Sequence, residues 1–511
     1  MISLPFAAAG SAALVRMLVG IASLASIAAG AVSSGHAAGA PKGASANAPN
    51  VLLVIVDDQA TNSFKPRFMP RTFNWLVHDG THFVNGLAAP PLCCPSRAGI
   101  LTGDYPHNSG VFWDHPGYGG LIDRRDTLPV WLKRAGYRTG IVGKLMNGYD
   151  TRYGLKPAPG FDSWFDLLGE KRYYNYDVSD QGRHRHYGTR HRDYSTDVFT
   201  RQAKRFIRSS SHGSKPWFLW LGYDAPHTAH SAYVRGCSGN QPVPKSRRDA
   251  KRYLHTPVPR DPSFNEHAVS DKPSTVADLP HISYKVFNNI RRRYHCTLAA
   301  DREVDRSIGH LRSELRRDGE LKNTVVFYFS DNGYFFGEHR IARGKTLPYE
   351  PALRVPYAVH VPARLRPGPQ AKYRRQLVTN EDIPATILDY AGDPPACAGP
   401  LDCRTLDGRS MRPLLGGPAS WPRDRAILAE ISGAAKHWRA VRTPRYMYAR
   451  YLGGDRELYD LRRDPFELHN LADNPKDSGV ERSLAARLKQ LRHCAGIKGR
   501  DQTLNGTPFC D

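Results

Sequence analysis

Residues 51–56, Val-Leu-Leu-Val-Ile-Val, form an unbroken apolar run that stops at Asp57-Asp58. A strand apolar on both faces belongs inside a parallel sheet covered on both sides. Three further runs behave alike: 139–142, stopping at Lys144; 217–221, leading into Asp224-Ala225-Pro226-His227; and 325–329, closing in Ser330-Asp331-Asn332-Gly333. Helical signals lie between them, at 72–78, at 128–134 with Pro129 in the first turn, and at about 284–315. There Ile290, Tyr294, Leu298, Val304 and Ile308 recur at helical spacing, as one or two helices. From about residue 427 the pattern changes. Short runs at 427–430, 437–441, 445–451 and 458–460, separated by Gly and Pro, predict a small antiparallel sheet, and 483–493 a last helix. There is no internal repeat. The pattern predicts an α/β fold: a large, mostly parallel central sheet flanked by helices, plus a smaller C-terminal antiparallel-sheet subdomain.

The strand endings carry chemistry. In open parallel sheets, ligands bind in the crevice beyond the carboxyl ends of the strands. Asp57/Asp58, Lys144, His227 and Asp331/Asn332 therefore converge on one site. After the first strand comes Cys93-Cys94-Pro95-Ser96-Arg97-Ala98-Gly99-Ile100-Leu101-Thr102-Gly103, which reads as a loop entering a helix, with Pro95 suited to the first turn. A Cys there, near a guanidinium, is poised to be anionic or modified; the plainer alternative is a buried structural Cys pair. Asp57, Asp58, Asp331 and Asn332 form an all-oxygen set suited to Ca²⁺ or Mg²⁺ rather than zinc, the alternative being turn and cap duty.

Composition narrows the setting. The 511 residues exceed one ordinary core, and 40% hydrophobic with 10% aromatic residues argues against disorder. In residues 1–37 only Arg16 is charged, 17–32 is apolar and Ala-rich, and Gly35-His36-Ala37 supplies small residues for a cut, so this segment reads as a signal peptide, with an uncleaved anchor as the weaker alternative. Residues 38–48 follow as a leader, 49–425 as the catalytic domain and 426–511 as the C-terminal subdomain. No transmembrane segment is expected in the mature chain, and the compartment is secreted or periplasmic. The cysteines then fall into an oxidising compartment. With Cys93 and Cys94 set aside, the close pairs Cys397/Cys403 and Cys494/Cys510 suggest staples, which leaves Cys237 with Cys296. The net charge of +24 favours polyanions. Arg183-His184-Arg185-His186, Arg190-His191-Arg192, 245–252 and Arg291-Arg292-Arg293 are either solvated faces or substrate-steering patches. No aromatic platform or motif points to nucleic acid.

Residues 93–103 resemble the sulfatase signature Cys-x-Pro-Ser-Arg followed by Leu-Thr-Gly, with every fixed position filled. The Val-Asp-Asp-Gln and Ser-Asp-Asn-Gly segments are similar to the same family's pattern. The resemblance implies an alkaline-phosphatase-like sandwich and a formylglycine made from Cys93 by a maturation enzyme. It also implies a divalent cation, commonly calcium with magnesium as the alternative, on Asp57, Asp58, Cys93, Asp331 and Asn332. By the same resemblance Arg97 pairs with the diol, Lys144 and Lys345 contact sulfate, and His227 contacts sulfate or assists the leaving oxygen. One departure stands out: many sulfatases carry a histidine two residues after the equivalent of Lys144, and here that residue is Met146. This resembles the N-acetylglucosamine-6-sulfatase branch, as do Cys-Cys-Pro-Ser-Arg, Tyr-Pro-His-Asn at 105–108 and Pro-Ser-Phe-Asn-Glu at 262–266. His339 and Asn147 are the candidates for the base that Met146 cannot be. The implied activity is hydrolysis of a sulfated sugar or glycosaminoglycan. Alternatives are an arylsulfatase, a phosphomonoester or phosphonate hydrolase using the same site, and, from another class, an inactive secreted polyanion binder.

Overall fold

Ten strands form one mixed sheet in the computed structural model, which describes residues 48–169, 173–231, 236–393, 405–417, 420–433, 436–502 and 506–511. The expected signal peptide, nearly all of the leader and the Cys397/Cys403 pair lie outside the described residues. In spatial order the strands are Tyr373–Arg374, Thr81–Phe83, Tyr357–His360, Thr324–Ser330, Asn50–Val56, Trp217–Gly222, Arg138–Gly143, Ser163–Leu168, Tyr176–Asp180 and Arg183–Tyr187. The five from Thr324–Ser330 to Ser163–Leu168 run parallel, and antiparallel strands extend both flanks. All four apolar runs read as buried strands are central and parallel. The last strand, Arg-His-Arg-His-Tyr, is a cationic exposed edge, which discourages pairing with another chain.

The period of two sorts each central strand between two cores. Val51, Leu53 and Ile55 pack with Ile100, Trp131 and Ile387 on one face. Leu52, Val54 and Val56 pack with Phe199, Leu298 and Val304 on the other. Burying each such side chain contributes about 1.5–3 kcal/mol, so the doubly covered strand anchors whatever its end carries. The 284–315 pattern is one helix, Tyr284–Arg317, begun by Ser283, whose side chain accepts the Val286 N–H. The 72–78 segment is wound as an α turn, Pro70–Thr72, continuing as a π-helix, Phe73–His78. Ser195–Ser211 is a further helix, with Val198, Phe199, Phe206 and Ile207 buried on one stripe.

The C-terminal sheet runs Ile427–Gly433, Lys436–Arg442, Tyr446–Tyr451, Arg456–Asp460, all antiparallel. Leu484, Leu488 and Leu491 of the helix Ser478–Leu491 pack into its apolar layer. This helix starts five residues before the expected 483, because Asn474 caps the turn at Pro475–Asp477 that leads into it. Cys494–Cys510 ties the tail and Cys237–Cys296 ties a loop to the long helix, both as paired from the sequence. The Tyr-Pro-His-Asn run is a clamp onto this sheet. His107 Nδ1 lies 2.7 Å from Glu430 Oε1 and Nε2 2.9 Å from the Cys494 carbonyl, while Asn108 donates to Asp407 at 2.9 Å. Among the described residues no helix is long and apolar enough to cross a membrane.

Candidate active site

The carboxyl ends of the central strands are drawn tightly together. The Lys144 N–H donates to the Gly222 carbonyl at 2.9 Å, and the Asp331 N–H to the Val56 carbonyl at 3.1 Å. Gly143 has φ +89°, and neither it nor Gly222 has room for a Cβ against the other's strand. Asp58 adopts φ +69°, a strained conformation for a residue with a Cβ, and such strain clusters where a side chain must be aimed.

Cys93 opens the helix Cys93–Thr102 rather than preceding it, so its thiol sits on the first turn, wholly buried. The helix is pinned from behind. Asn380 donates to the Ser96 carbonyl and accepts the Ala89 N–H, and Gly99 passes so close to Asn380 and Glu381 that a Cβ has no room. Cys93 Sγ lies 3.6 Å from Asp57 Oδ1 and 2.9 Å from Lys345 Nζ. Lys144 Nζ pairs with Asp57, and Lys345 Nζ with Asp58. Arg97 sits under the cluster. Its Nε donates to Asp331 Oδ2 at 2.7 Å, its Nη1 to the Lys144 carbonyl at 2.7 Å, and its Nη2 is 3.9 Å from Asp57. Asn332 donates to Asp58 Oδ1 at 2.7 Å, and His227 Nε2 is 3.6 Å from Asp58 Oδ2. The structure thus gathers Asp57, Asp58, Cys93, Arg97, Lys144, His227, Asp331, Asn332 and Lys345 at one place. His227 and Lys345 are its most open side chains, 18% and 12% exposed against 5% or less for the five other charged groups, so the mouth lies on their side.

Three carboxylates here face three cations. Burial works against the Arg97 charge, but Asp331 and Asp57 more than offset it and hold the guanidinium firmly protonated. Lys345 is likewise held charged against burial by Asp58, the Cys93 sulfur and Asp57. Asp331 goes the other way. Burial and the Asp57 charge push its carboxyl up despite Arg97, Lys144 and Lys345. Next door, burial and Asp114 push the Cys94 thiol far up, and its sulfur faces the Asp114 carbonyl. Of the two adjacent cysteines, Cys93 is the one whose sulfur contacts both a carboxylate, Asp57, and an ammonium, Lys345. The donor set also fits a hard divalent cation. Oxygens of Asp57 and Asp331 converge with Cys93 Sγ within 4.8 Å, as do ligand atoms of Asp57, Asp58 and His227, and Asn332 Oδ1 is buried without a hydrogen-bond partner among the described residues.

A sulfatase family profile matches residues 49–393, more than half of the chain. The chain belongs to the sulfatase family. A second profile, N-sulphoglucosamine sulphohydrolase C-terminal, matches residues 337–494. The extracellular sulfatase SULF-1 homolog of Drosophila melanogaster is 31% identical over 75% of this chain and 33% of its own length. The chain spans only about a third to a half of that relative and of a similar Caenorhabditis elegans protein. Human N-acetylglucosamine-6-sulfatase is 30% identical over 76% of this chain and 68% of its own. Among solved structures, one described as a complex with its substrate D-glucosamine-2-N,6-O-disulfate superposes with TM-score 0.70 at 23% identity, over 86% of this chain and 97% of the other. The phosphonate monoester hydrolase of Agrobacterium radiobacter superposes at 0.61 and 20%, over 87% and 95%. The sandwich architecture expected of a sulfatase is the one observed.

The two candidates for the base are held by partners of their own, though His339 Nε2 is buried without a hydrogen-bond partner among the described residues. His339 gives Nδ1 to Glu266 Oε2 at 2.6 Å and stacks on Tyr349 with ring centres 4.4 Å apart. Asn147 offers its carbonyl to the Tyr118 N–H. Neither is hydrogen-bonded to Cys93, Lys144 or Lys345. The Pro-Ser-Phe-Asn-Glu run has a visible job instead. It braces the loop between Asn332 and Lys345, through Asn265 N–H to the Gly337 carbonyl, His339 N–H to the Ser263 carbonyl, and Glu266. Sequence reasoning missed Arg293, whose charge reaches Asp58 from the long helix, and Tyr334 in the loop after Asn332, whose phenol is kept neutral by burial. Arg293 stands inside a run of three arginines that the sequence leaves open between a solvated face and a substrate-steering patch.

Proposed function

We propose that this sulfatase-family protein is an exported sulfuric ester hydrolase acting on a sulfated sugar, with a formylglycine made from Cys93 as its nucleophile. The observation that carries the reading is the Cys93 side chain, buried on the first helical turn between the Asp57 carboxylate and the Lys345 ammonium. Conversion replaces Sγ by oxygen on the same Cβ, and hydration gives two hydroxyls there.

One hydroxyl loses its proton and attacks sulfur, the S–O bond to the sugar breaks, and the sugar leaves as an alcohol. The second hydroxyl then gives up its proton, the aldehyde re-forms and sulfate is expelled. Lys345 and Lys144 meet the charge on the sulfuryl oxygens, and Arg97 fixes Asp57 and Asp331 beneath them. His227 donates Nδ1–H to the Thr228 carbonyl at 2.6 Å, so the proton it can move is on Nε2, at the open mouth where the leaving oxygen must exit. Asp57, Asp58, Asp331 and Asn332 would hold a divalent cation, calcium or alternatively magnesium, which lowers the pKa of an oxygen nucleophile and draws in sulfate charge.

An N-acetylglucosamine-6-sulfate-like sugar is the substrate that the names of the human and other relatives and the basic surface support. Export follows from residues 1–37, maturation needs a formylglycine-generating enzyme in the host, and the division at 425/426 separates the site-bearing sheet from the small one. The test is mass spectrometry of the tryptic peptide 72–97 from protein made in its native host, with turnover of sulfate and phosphate esters in parallel. The expected result is an aldehyde at Cys93 and faster sulfate cleavage. Cys93→Ala is expected to cut turnover by at least about 10⁴-fold, as removal of a covalent nucleophile does, with the thermal midpoint unchanged. A plain thiol in fully active protein, or faster phosphate turnover, overturns the reading.

A further inference from the structure

We infer that a cavity beside the proposed centre is a second anion subsite, built for a sulfate or carboxylate substituent on the sugar that carries the scissile ester or on its neighbour. The inference rests on the proposed function for its substrate and on the following geometry for its place. The cavity measures about 350 Å³ and is lined by Asn240, Gln241, Asn289, Arg292, Arg293 and Arg343, among others.

Four arginines are buried among the described residues: Arg97, Arg293, Arg425 and Arg442. Three have a carboxylate in direct contact: Arg97 has Asp331, Arg425 has Asp382, and Arg442 has Glu350. Arg293, only 6% exposed, has none among the described residues. Its Nη2 donates to the Asn240 carbonyl at 3.2 Å, and its Nε is buried without a hydrogen-bond partner among the described residues. A buried cation without a counter-charge opposes folding, a burden that proteins rarely carry without use. Two more guanidiniums stand beside it. Arg292 is held only by the Asn289 amide oxygen at 3.1 Å, and Arg343 has no carboxylate partner among the described residues. Gln241 adds a buried amide oxygen with no hydrogen-bond partner among the described residues, able to accept from a sugar hydroxyl or N–H. The cavity therefore offers positive charge, a spare donor and a spare acceptor, with no acid to fill it.

Its place ties it to the reaction. Arg293 feels burial first, then Tyr334, Arg343, Arg292 and, at longer range, Asp58. Arg343 lies two residues before Lys345 in the same loop. A sugar whose ester reaches Lys345 at the mouth thus has a neighbouring substituent within the field of Arg293 and Arg343.

The test uses full-length Cys93→Ala protein, which binds without turnover. Calorimetry compares glucosamine 6-sulfate, the same sugar N-sulfated, and a disaccharide that joins it to a uronate. The second anionic group is expected to tighten binding about tenfold or more, the scale of one desolvated charge-assisted hydrogen bond. Arg293→Gln and, at the exposed rim, Arg343→Ala are each expected to erase most of that gain. Arg185→Ala, an equal charge loss on the far sheet edge, leaves the gain intact. Whichever arm shows the gain identifies the group. No gain from either anionic group overturns the subsite, as does an Arg343→Ala loss equal for all three ligands. Turnover by matured wild-type protein is scored separately. Differential binding without hydrolysis overturns the hydrolase reading and leaves the subsite standing.

Discussion

Two of the buried charged clusters among the described residues are satisfied in opposite ways. Under the small sheet, Glu457 receives three phenols: Tyr349 and Tyr459 at 2.6 Å on Oε1, and Tyr451 on Oε2. Nearby, Arg442 meets Glu350 at 2.8 Å, and with Arg354 it holds the Glu350 carboxyl below its usual range although burial pushes the other way. At the carboxyl ends of the parallel strands, by contrast, Asp57 and Asp331 repel each other. Asp331 is pushed up, and Arg97 Nη2 and Asn332 Oδ1 are buried without hydrogen-bond partners among the described residues. Glu457 and Glu350 are each held by donors and tie the small sheet to its surroundings, although Glu467 beside them is pushed up by burial and by Glu350 and keeps Oε1 without a hydrogen-bond partner among the described residues. The cluster at the strand ends keeps like charges close and donors spare, which costs stability, and waits for a ligand.

Removing a carboxylate separates the two most sharply. Asp331→Asn keeps one oxygen, enough for either Arg97 or the Asp58 N–H, while deleting the charge that burial and Asp57 oppose and that Arg97 pairs with. Turnover is expected to fall about 10³-fold or more, as loss of a preorganised charge does, and bound calcium to drop. Metal-free protein is expected to lose no more than about 2 kcal/mol, less than a broken buried pair costs, because relief of the Asp57 repulsion and of a carboxyl that burial pushes up offsets part of the lost Arg97 contact. A loss of about 3–5 kcal/mol with calcium retained breaks the contrast.

Arg442→Met probes the other cluster. It strands Glu350 beside Glu467, whose carboxylate accepts the Glu350 N–H. The expected loss is about 3–5 kcal/mol, the cost of breaking a buried pair, with turnover per folded molecule unchanged. Because the Glu350 carboxyl is depressed in the folded state, its contribution is complete above its ordinary 4.5 and fades as pH falls through the folded value. The gap between wild type and Arg442→Met, followed by thermal midpoint from pH 7 to 3.5, should therefore narrow only below about 4.5.

The same contrast explains what was legible in the sequence. Val51 to Val56, Val325 to Phe329 and the other buried strands were plain because both faces are apolar, and the eight residues at their ends and on the signature helix converge through that parallel arrangement, with Lys345 brought in by the loop after Asn332. The antiparallel strands at 176–187 were not, since Arg183 to His186 carry no apolar alternation. The 478–482 start of the last helix was obscured by a polar first turn that Asn474 and Pro475 organise. His339 looked chemically able but serves Glu266 and Tyr349, a pairing set by a contact across 73 residues. Arg293 could be told from Arg291 and Arg292 only by which helix face meets the core. Local pattern reveals strands and their ends; it does not reveal which polar side chain tertiary packing has left without a partner.

The finest test compares two phenols on one carboxylate. Tyr451 is the only described donor to Glu457 Oε2, whereas Oε1 has both Tyr349 and Tyr459. Tyr451→Phe leaves a buried charged oxygen bare and is expected to cost about 1–3 kcal/mol, while Tyr459→Phe leaves Oε1 served and costs about 0.5–1.5. At about 2 cal/mol/K per residue, a chain of this size turns these into falls of only a few degrees in thermal midpoint, with Tyr451→Phe the lower. Both variants keep the ring, so packing is preserved, and neither touches Asp57 or Asp331, so calcium content and turnover stay at wild-type level. Equal losses from the two would show that this cluster works through its apolar rings. In that case the donors to Glu457 would no longer be what separates it from the cluster at the strand ends.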